Sequence, residues 1–134
     1  MKSIFRTALV LTVLATLGAC ASLNPVSKAD TAEQKAYALY GTFVVFEEQA
    51  AKLVSSSEVP ENVKQALRDA DKAAKPAADS LLDGVQQVLT VKRELAAGTT
   101  TNEKLSIAVA NLAGWYASAK PKVESLVSAV KGAN

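Results

Sequence analysis

Histidine is absent from this chain, and cysteine occurs once, at Cys20. The first absence removes the commonest general base and the commonest metal ligand. A zinc site would have to be built from carboxylates alone, against that ion's preference for nitrogen and sulfur. One cysteine excludes any disulfide within the chain, leaving an intermolecular bridge or a chemical attachment. Aromatic residues make up only 5% of the sequence, and the six glycines are isolated from one another, so there is no phosphate-cradling loop. No G-x-S-x-G occurs, and no serine has a histidine to activate it. Strand signals are scarce: Val44-Val45 and the run from Val88 to Val91 both sit inside helical periodicity. Charge of one sign is also missing. Fifteen basic residues face thirteen acidic ones, without a basic cluster, which gives no electrostatic reason to expect nucleic acid as a partner.

What is present begins at the N-terminus. Lys2 and Arg6 precede an uncharged run from Thr7 to Leu17. That run is too short to span a bilayer but has the length of a signal-peptide core. It ends in Leu17-Gly18-Ala19-Cys20, which resembles the lipobox of bacterial lipoproteins: an aliphatic residue, two small residues and a cysteine. The resemblance implies cleavage between Ala19 and Cys20, with a diacylglycerol and an N-acyl chain such as palmitate carried covalently on Cys20. It implies no other cofactor. Lys2 and Arg6 would leave with the signal, so 13 basic and 13 acidic residues remain and the mature chain is formally neutral. Ala21 stands where an aspartate favours inner-membrane retention in enterobacterial lipoproteins. By that analogy the address is the inner leaflet of the outer membrane, facing the periplasm.

The chain therefore divides into a signal (1–19), a lipidated tether (20–31) and a helical domain (32–134). The tether contains Pro25 and no periodicity. Helix one is expected from about Ala32 to Ser55, with an apolar seam at Ala36, Leu39, Phe43, Phe46, Ala50 and Leu53. Glu48 and Lys52 lie opposite. A second apolar stripe, Tyr37, Tyr40, Val44 and Ala51, falls well round from the first. It fits either a central helix with two neighbours or a surface for a partner or a second copy. Pro60 suits the first position of helix two. That helix carries a seam from Val63 through Leu67, Ala70, Ala74, Ala77, Leu81, Gly84, Val88 and Val91 to Leu95, and Gly98 is placed to end it. Pro76 either kinks or breaks it. Thr100 and Glu103 fit a capping box for helix three. Its seam is Leu105, Val109, Leu112, Tyr116, Ala119, Val123, Leu126 and Val130, and Lys131 and Gly132 mark its end.

Residues 74–82 and 119–127 share the pattern A-K-P-x-x-acid-S-L-aliphatic. Counting from the turns puts Pro76, Pro121 and Gly41 nearly level, which suggests a bundle bending there as a unit. The carboxylate pairs Glu47-Glu48, Asp69-Asp71 and Asp79-Asp83 read as solvated faces. Trp115-Tyr116 is either core or a sugar platform.

The fold expected is all-α: an antiparallel, coiled-coil-like bundle of three long helices, or four if Pro76 breaks the second. Counting back from the Ser55–Pro60 turn, helix one covers helix two only as far as about Gly84. Val85, Val88, Leu89 and Leu95 then face Leu105, Val109, Leu112 and Trp115 without cover. That count makes the Thr100 end, with Leu89, Ile107 and Trp115, a self-association or partner surface, and puts the tether toward the opposite half. The function expected is non-enzymatic: a membrane-anchored periplasmic lipoprotein that binds or scaffolds an envelope component. It holds the membrane through its lipid and a protein partner or a second copy through its surface, with no small-molecule substrate. The mature region also resembles small lipoproteins of proteobacteria and their phages, which implies as an alternative a superinfection-exclusion lipoprotein acting on an outer-membrane receptor. It lacks the C-terminal lysine of murein-linked lipoproteins. An enzyme ranks third.

Overall fold

A computed structural model describes residues 31–133. They form three helices, α1 (Ala32–Ser55), α2 (Glu61–Ala96) and α3 (Asn102–Ala133), each packed against the other two. No strand occurs among the described residues. The all-α bundle expected from the seams is the observed fold, in its three-helix form. Alanine-rich spacing lets the helices propagate and approach closely, since alanine has the highest helix propensity and the smallest side chain that keeps it.

The helix ends are made by local chemistry. Thr31 opens α1 with a capping box: its hydroxyl accepts from the Gln34 N–H (3.2 Å), and the Gln34 amide oxygen accepts from the Thr31 N–H (3.1 Å). Pro60 stands just outside α2 and not in its first position; its carbonyl accepts from the Val63 and Lys64 N–H groups. Gly98 adopts φ 72°, and the N–H groups of Gly98 and Thr99 close back on the carbonyls of Leu95 and Glu94. That double closure uses a left-handed residue for which glycine carries no steric cost. The capping box expected of Thr100 is not made. Thr101 caps α3 instead, accepting from the Lys104 N–H at 3.4 Å, while the Thr100 hydroxyl is buried without a partner. α3 runs on through Gly132 to Ala133, past the expected stop.

α2 continues through Pro76 without a break. Pro76 and Pro121 are both exposed, so each missing hydrogen bond falls on the solvent side, where water can replace it. Pro76 and Lys122 line one cleft, so the two prolines do lie near one level. Gly41 does not share that level. Glu47, six residues further along α1, is the one that reaches Lys75, with Nζ to Oε1 at 2.6 Å.

This ion pair, with a second between Lys92 and Glu33, resets the register of α1 on α2. Glu47 lies eight residues back from the end of α1, whereas Lys75 lies fourteen into α2. The offset of six helical residues is about 9 Å of axis. The 56–60 connection bridges it: Ser56 and Pro60 are extended at its two ends (ψ 136° and 146°), and residues 57–59 bend between them, the Glu58 N–H donating to the Ser56 hydroxyl at 3.2 Å. α1 covers α2 up to Lys92, beyond the expected limit at Gly84. Val85, Val88 and Leu112 are fully buried, and no bare two-helix end exists for them to expose. The same register places the start of α1 beside Lys92, toward the Gly98–Thr101 turn. α1 therefore begins at the Thr100 end, whereas the expectation put the segment before it toward the opposite half.

The core is built mostly from the expected seams, joined by Ala78, Val85 and Ala108, which no expected seam contained. Leu39, Phe43, Leu67, Leu81, Leu112 and Leu126 are buried as expected; Phe46 is only partly buried, at the edge of the core. All buried residues of the core are apolar or glycine.

Candidate interaction surface

The lipidation and cleavage residues, Cys20 and Ala19, lie outside the described residues. The six candidate interface residues do not form one site. Trp115 is half-buried and turned inward. Its ring lies so close over Gly84 that a Cβ there would come within 2.2 Å of Cε3 and 2.6 Å of Cζ3. Leu89 is 38% exposed, but five residues past Gly84 it lies about 140° round α2. It stands two heptads on from Lys75 and so on the side of α2 turned to α1. Ile107, 54% exposed, lies eight residues from Trp115, about 12 Å along α3. The proposed Leu89–Ile107–Trp115 surface is thus dispersed over separate faces.

Tyr37, Tyr40 and Val44 do share a face. They follow one another on α1 at spacings of three and four residues, the helical neighbour distances. Tyr37 is 47% and Val44 42% exposed, and the adjoining Val45 is 51% exposed. Tyr40 is half-buried, its ring 6.3 Å from that of Phe43, and closes the inner edge. α1 contacts both neighbours mainly through the first seam; of the second stripe Tyr40 packs against the core, and Tyr37, Val44 and Ala51 face out. Gly41 sits at the centre of this patch, exposed, where an added Cβ would meet nothing within 4 Å. Val45 and Gly41 were not picked out in sequence as part of the stripe. The signal was available, since Tyr37, Val44 and Val45 stand at −4, +3 and +4 from the glycine.

The electrostatics of the α1–α2 seam differ from the solvated faces expected. Glu47 and Asp71 are partly buried there. The Lys92 hydrogen bond holds the Glu33 carboxyl below its ordinary value of 4.5. Burial, reinforced by the Glu47 charge, raises the Asp71 carboxyl above 3.8, and its Oδ1 has no hydrogen-bond partner. The signs oppose one another. A lowered folded pKa means that Glu33 stabilises above its unfolded titration range and loses this as pH falls through the folded value. A raised one means that Asp71 costs stability at neutral pH, a cost relieved as pH falls through its folded value. Glu33→Gln is therefore expected to flatten the acid limb of a melting-temperature profile from about pH 5 downward. Asp71→Asn should raise the melting temperature at neutral pH and leave it unchanged at the acid end. An Asp71→Asn variant less stable at neutral pH would show that the carboxylate has a partner after all.

Pro76, Ala77, Ser80, Trp115, Ser118 and Lys122 line an open cleft of about 240 Å³ between α2 and α3. The Ser80 hydroxyl there donates to the Pro76 carbonyl at 2.9 Å. Among the described residues no group of three metal-ligating side chains comes together, and no helix is long and apolar enough to cross a membrane. Comparison with protein-family models, curated proteins and solved structures gives no match for this chain.

Proposed function

We propose that this chain is an exported lipoprotein that holds a helical bundle at the periplasmic side of a bacterial outer membrane, where it binds or scaffolds an envelope component and catalyses no reaction. One observation carries the reading: Leu17-Gly18-Ala19-Cys20 at the end of a short uncharged run behind Lys2 and Arg6. The lone cysteine then has a use, and the lack of histidine agrees with a binding role. On this reading the Gly98–Thr101 end faces the lipid, because α1 starts there. The Ser56–Pro60 connection points away, and the outward stripe of α1 stays open to a partner. Two or three acyl chains would make the attachment stable, at about 0.8 kcal/mol per buried methylene.

Cys20→Ala is expected to abolish palmitate labelling and to move the protein from the membrane to the unprocessed or soluble fraction. Metabolic labelling with fractionation checks this. Label persisting in Cys20→Ala, or absent from the parent chain, would refute the anchor.

A further inference from the structure

Three hydrogen-bond donors without partners line the cleft between α2 and α3. Trp115, Ser118 and Lys122 follow one another at three and four residues, so they stand side by side over about 10 Å of one α3 face. Among the described residues Lys122 makes no ion pair and the Ser118 hydroxyl no hydrogen bond. The Trp115 indole N–H is likewise unbonded, and it is not sealed from solvent. Gly84 fixes that ring. Its Cε3–Cζ3 edge occupies the space a Cβ at Gly84 would need, and the N–H lies on the far edge of the indole. On the α2 side the walls are apolar or already bonded: Pro76, Ala77, and the Ser80 hydroxyl, which donates to the Pro76 carbonyl. Lys122 is the only charged residue lining the cleft; Asp79 and Asp83 are not among its walls.

An ammonium and an indole N–H can only donate, and a free hydroxyl can donate as well. A group that satisfies all three accepts at more than one atom and carries negative charge to match the ammonium. The apolar wall opposite calls for carbon next to that group. A volume of about 240 Å³ is smaller than a drug-sized pocket, so only a small molecule or the end of a chain fits. Tyr116 packs against the core and does not line the cleft, so there is no paired aromatic platform for a neutral sugar.

We propose that this cleft binds a small organic carboxylate. Lys122, Ser118 and the Trp115 N–H hold its two oxygens, and Pro76 and Ala77 pack against the adjoining carbon. The C-terminus of a short peptide and an acidic sugar both present this group. The ligand class deepens the envelope-binding role proposed above and rests on it. Three contacts in an open cleft, one of them charge-assisted, make a weak complex, with Kd on the order of 1 mM.

Trp115 is the only tryptophan of the chain, so its fluorescence reports on the cleft directly. The full chain, purified in detergent, is titrated with acetyl-alanyl-alanine, the corresponding amide, glucuronic acid and glucose. A saturable change is expected with the peptide acid, the acidic sugar or both, and the pattern names the source; none is expected with the amide or glucose. Lys122→Gln should weaken binding at least about tenfold and Ser118→Ala about threefold, as for the loss of a charged and a neutral hydrogen bond. Lys120→Gln removes an equal charge that pairs with Glu124 outside the cleft, and should change the affinity by less than about twofold. No saturable change with either acid up to about twenty times the expected Kd would overturn the site. So would equal binding of the amide or of glucose, or a loss in Lys122→Gln no larger than that in Lys120→Gln. Palmitate labelling of the same preparation keeps the two readings apart: carboxylate binding without label removes the anchor alone, and label without binding removes the cleft alone.

Discussion

Phe43→Ala is expected to cost about 3–5 kcal/mol, the range for truncating a buried aromatic side chain. Phe43 is 2% exposed and is the largest fully buried side chain of the bundle. It sits mid-way along α1, whose two neighbours are long rigid helices that cannot close the hole by a local shift. A domain of this size is stable by only about 5–15 kcal/mol, so this one change removes a large fraction of the total. At roughly 4–8 °C per kcal/mol, the melting temperature should fall by more than about 12 °C. Lys52→Ala on the opposite face is the control. Its side chain is 72% exposed and pairs only with exposed Glu48, an interaction that solvent screening leaves of little consequence for stability. Urea titrations of both variants measure the difference. Equal, small effects would mean that α1 is rotated from its described orientation.

Gly84→Val is expected to be nearly as harmful, for the opposite reason. The first added atom already lies 2.2 Å from a rigid indole ring and 3.2 Å from Leu112 Cδ1. Overpacking of a tight core costs about 1–3 kcal/mol, and two further methyl groups place this change at or above the upper limit. Relief requires the Trp115 ring to swing outward, so a red shift of tryptophan emission should accompany the loss. Trp115→Ala in the same background should restore part of the stability, giving a coupling energy of about 1–3 kcal/mol in a double-mutant cycle. Gly41→Ala provides the contrast: with open space around it, it should gain about 0.5–1 kcal/mol. Additive effects of Gly84→Val and Trp115→Ala would show that the ring does not rest on the glycine.

The seams of all three helices were legible in the sequence because burial in a bundle repeats every three or four residues, and the turn of the α-helix supplies that repeat without further information. Phe43, Leu81 and Leu126 were readable for that reason, and so was the left-handed end at Gly98. The fate of Pro76 was not. Whether a helix survives a proline depends on which face the lost hydrogen bond occupies, and the faces are assigned only when neighbours pack. The choice of Thr101 over Thr100 as the cap was likewise hidden. Three consecutive threonines offer equivalent hydroxyls, and the path of the chain into α3 selects among them.

Register decided the rest. Side-chain periodicity says which face of α1 turns inward but not how far α1 slides along α2. Five residues between two helices can join them at different offsets, and the sequence pattern is the same for each. The ion pairs Glu47–Lys75 and Glu33–Lys92 exist only in the slid arrangement, which covers Val85 and Val88, brings the start of α1 to the Thr100 end and leaves Tyr37, Val44 and Val45 outside. The sequence by itself determined an all-α bundle and most of the faces its helices bury, because burial repeats with the helical turn. Tertiary structure alone decided which apolar residues remain uncovered, because exposure depends on where a neighbouring helix starts and stops, and that is a distance no residue carries.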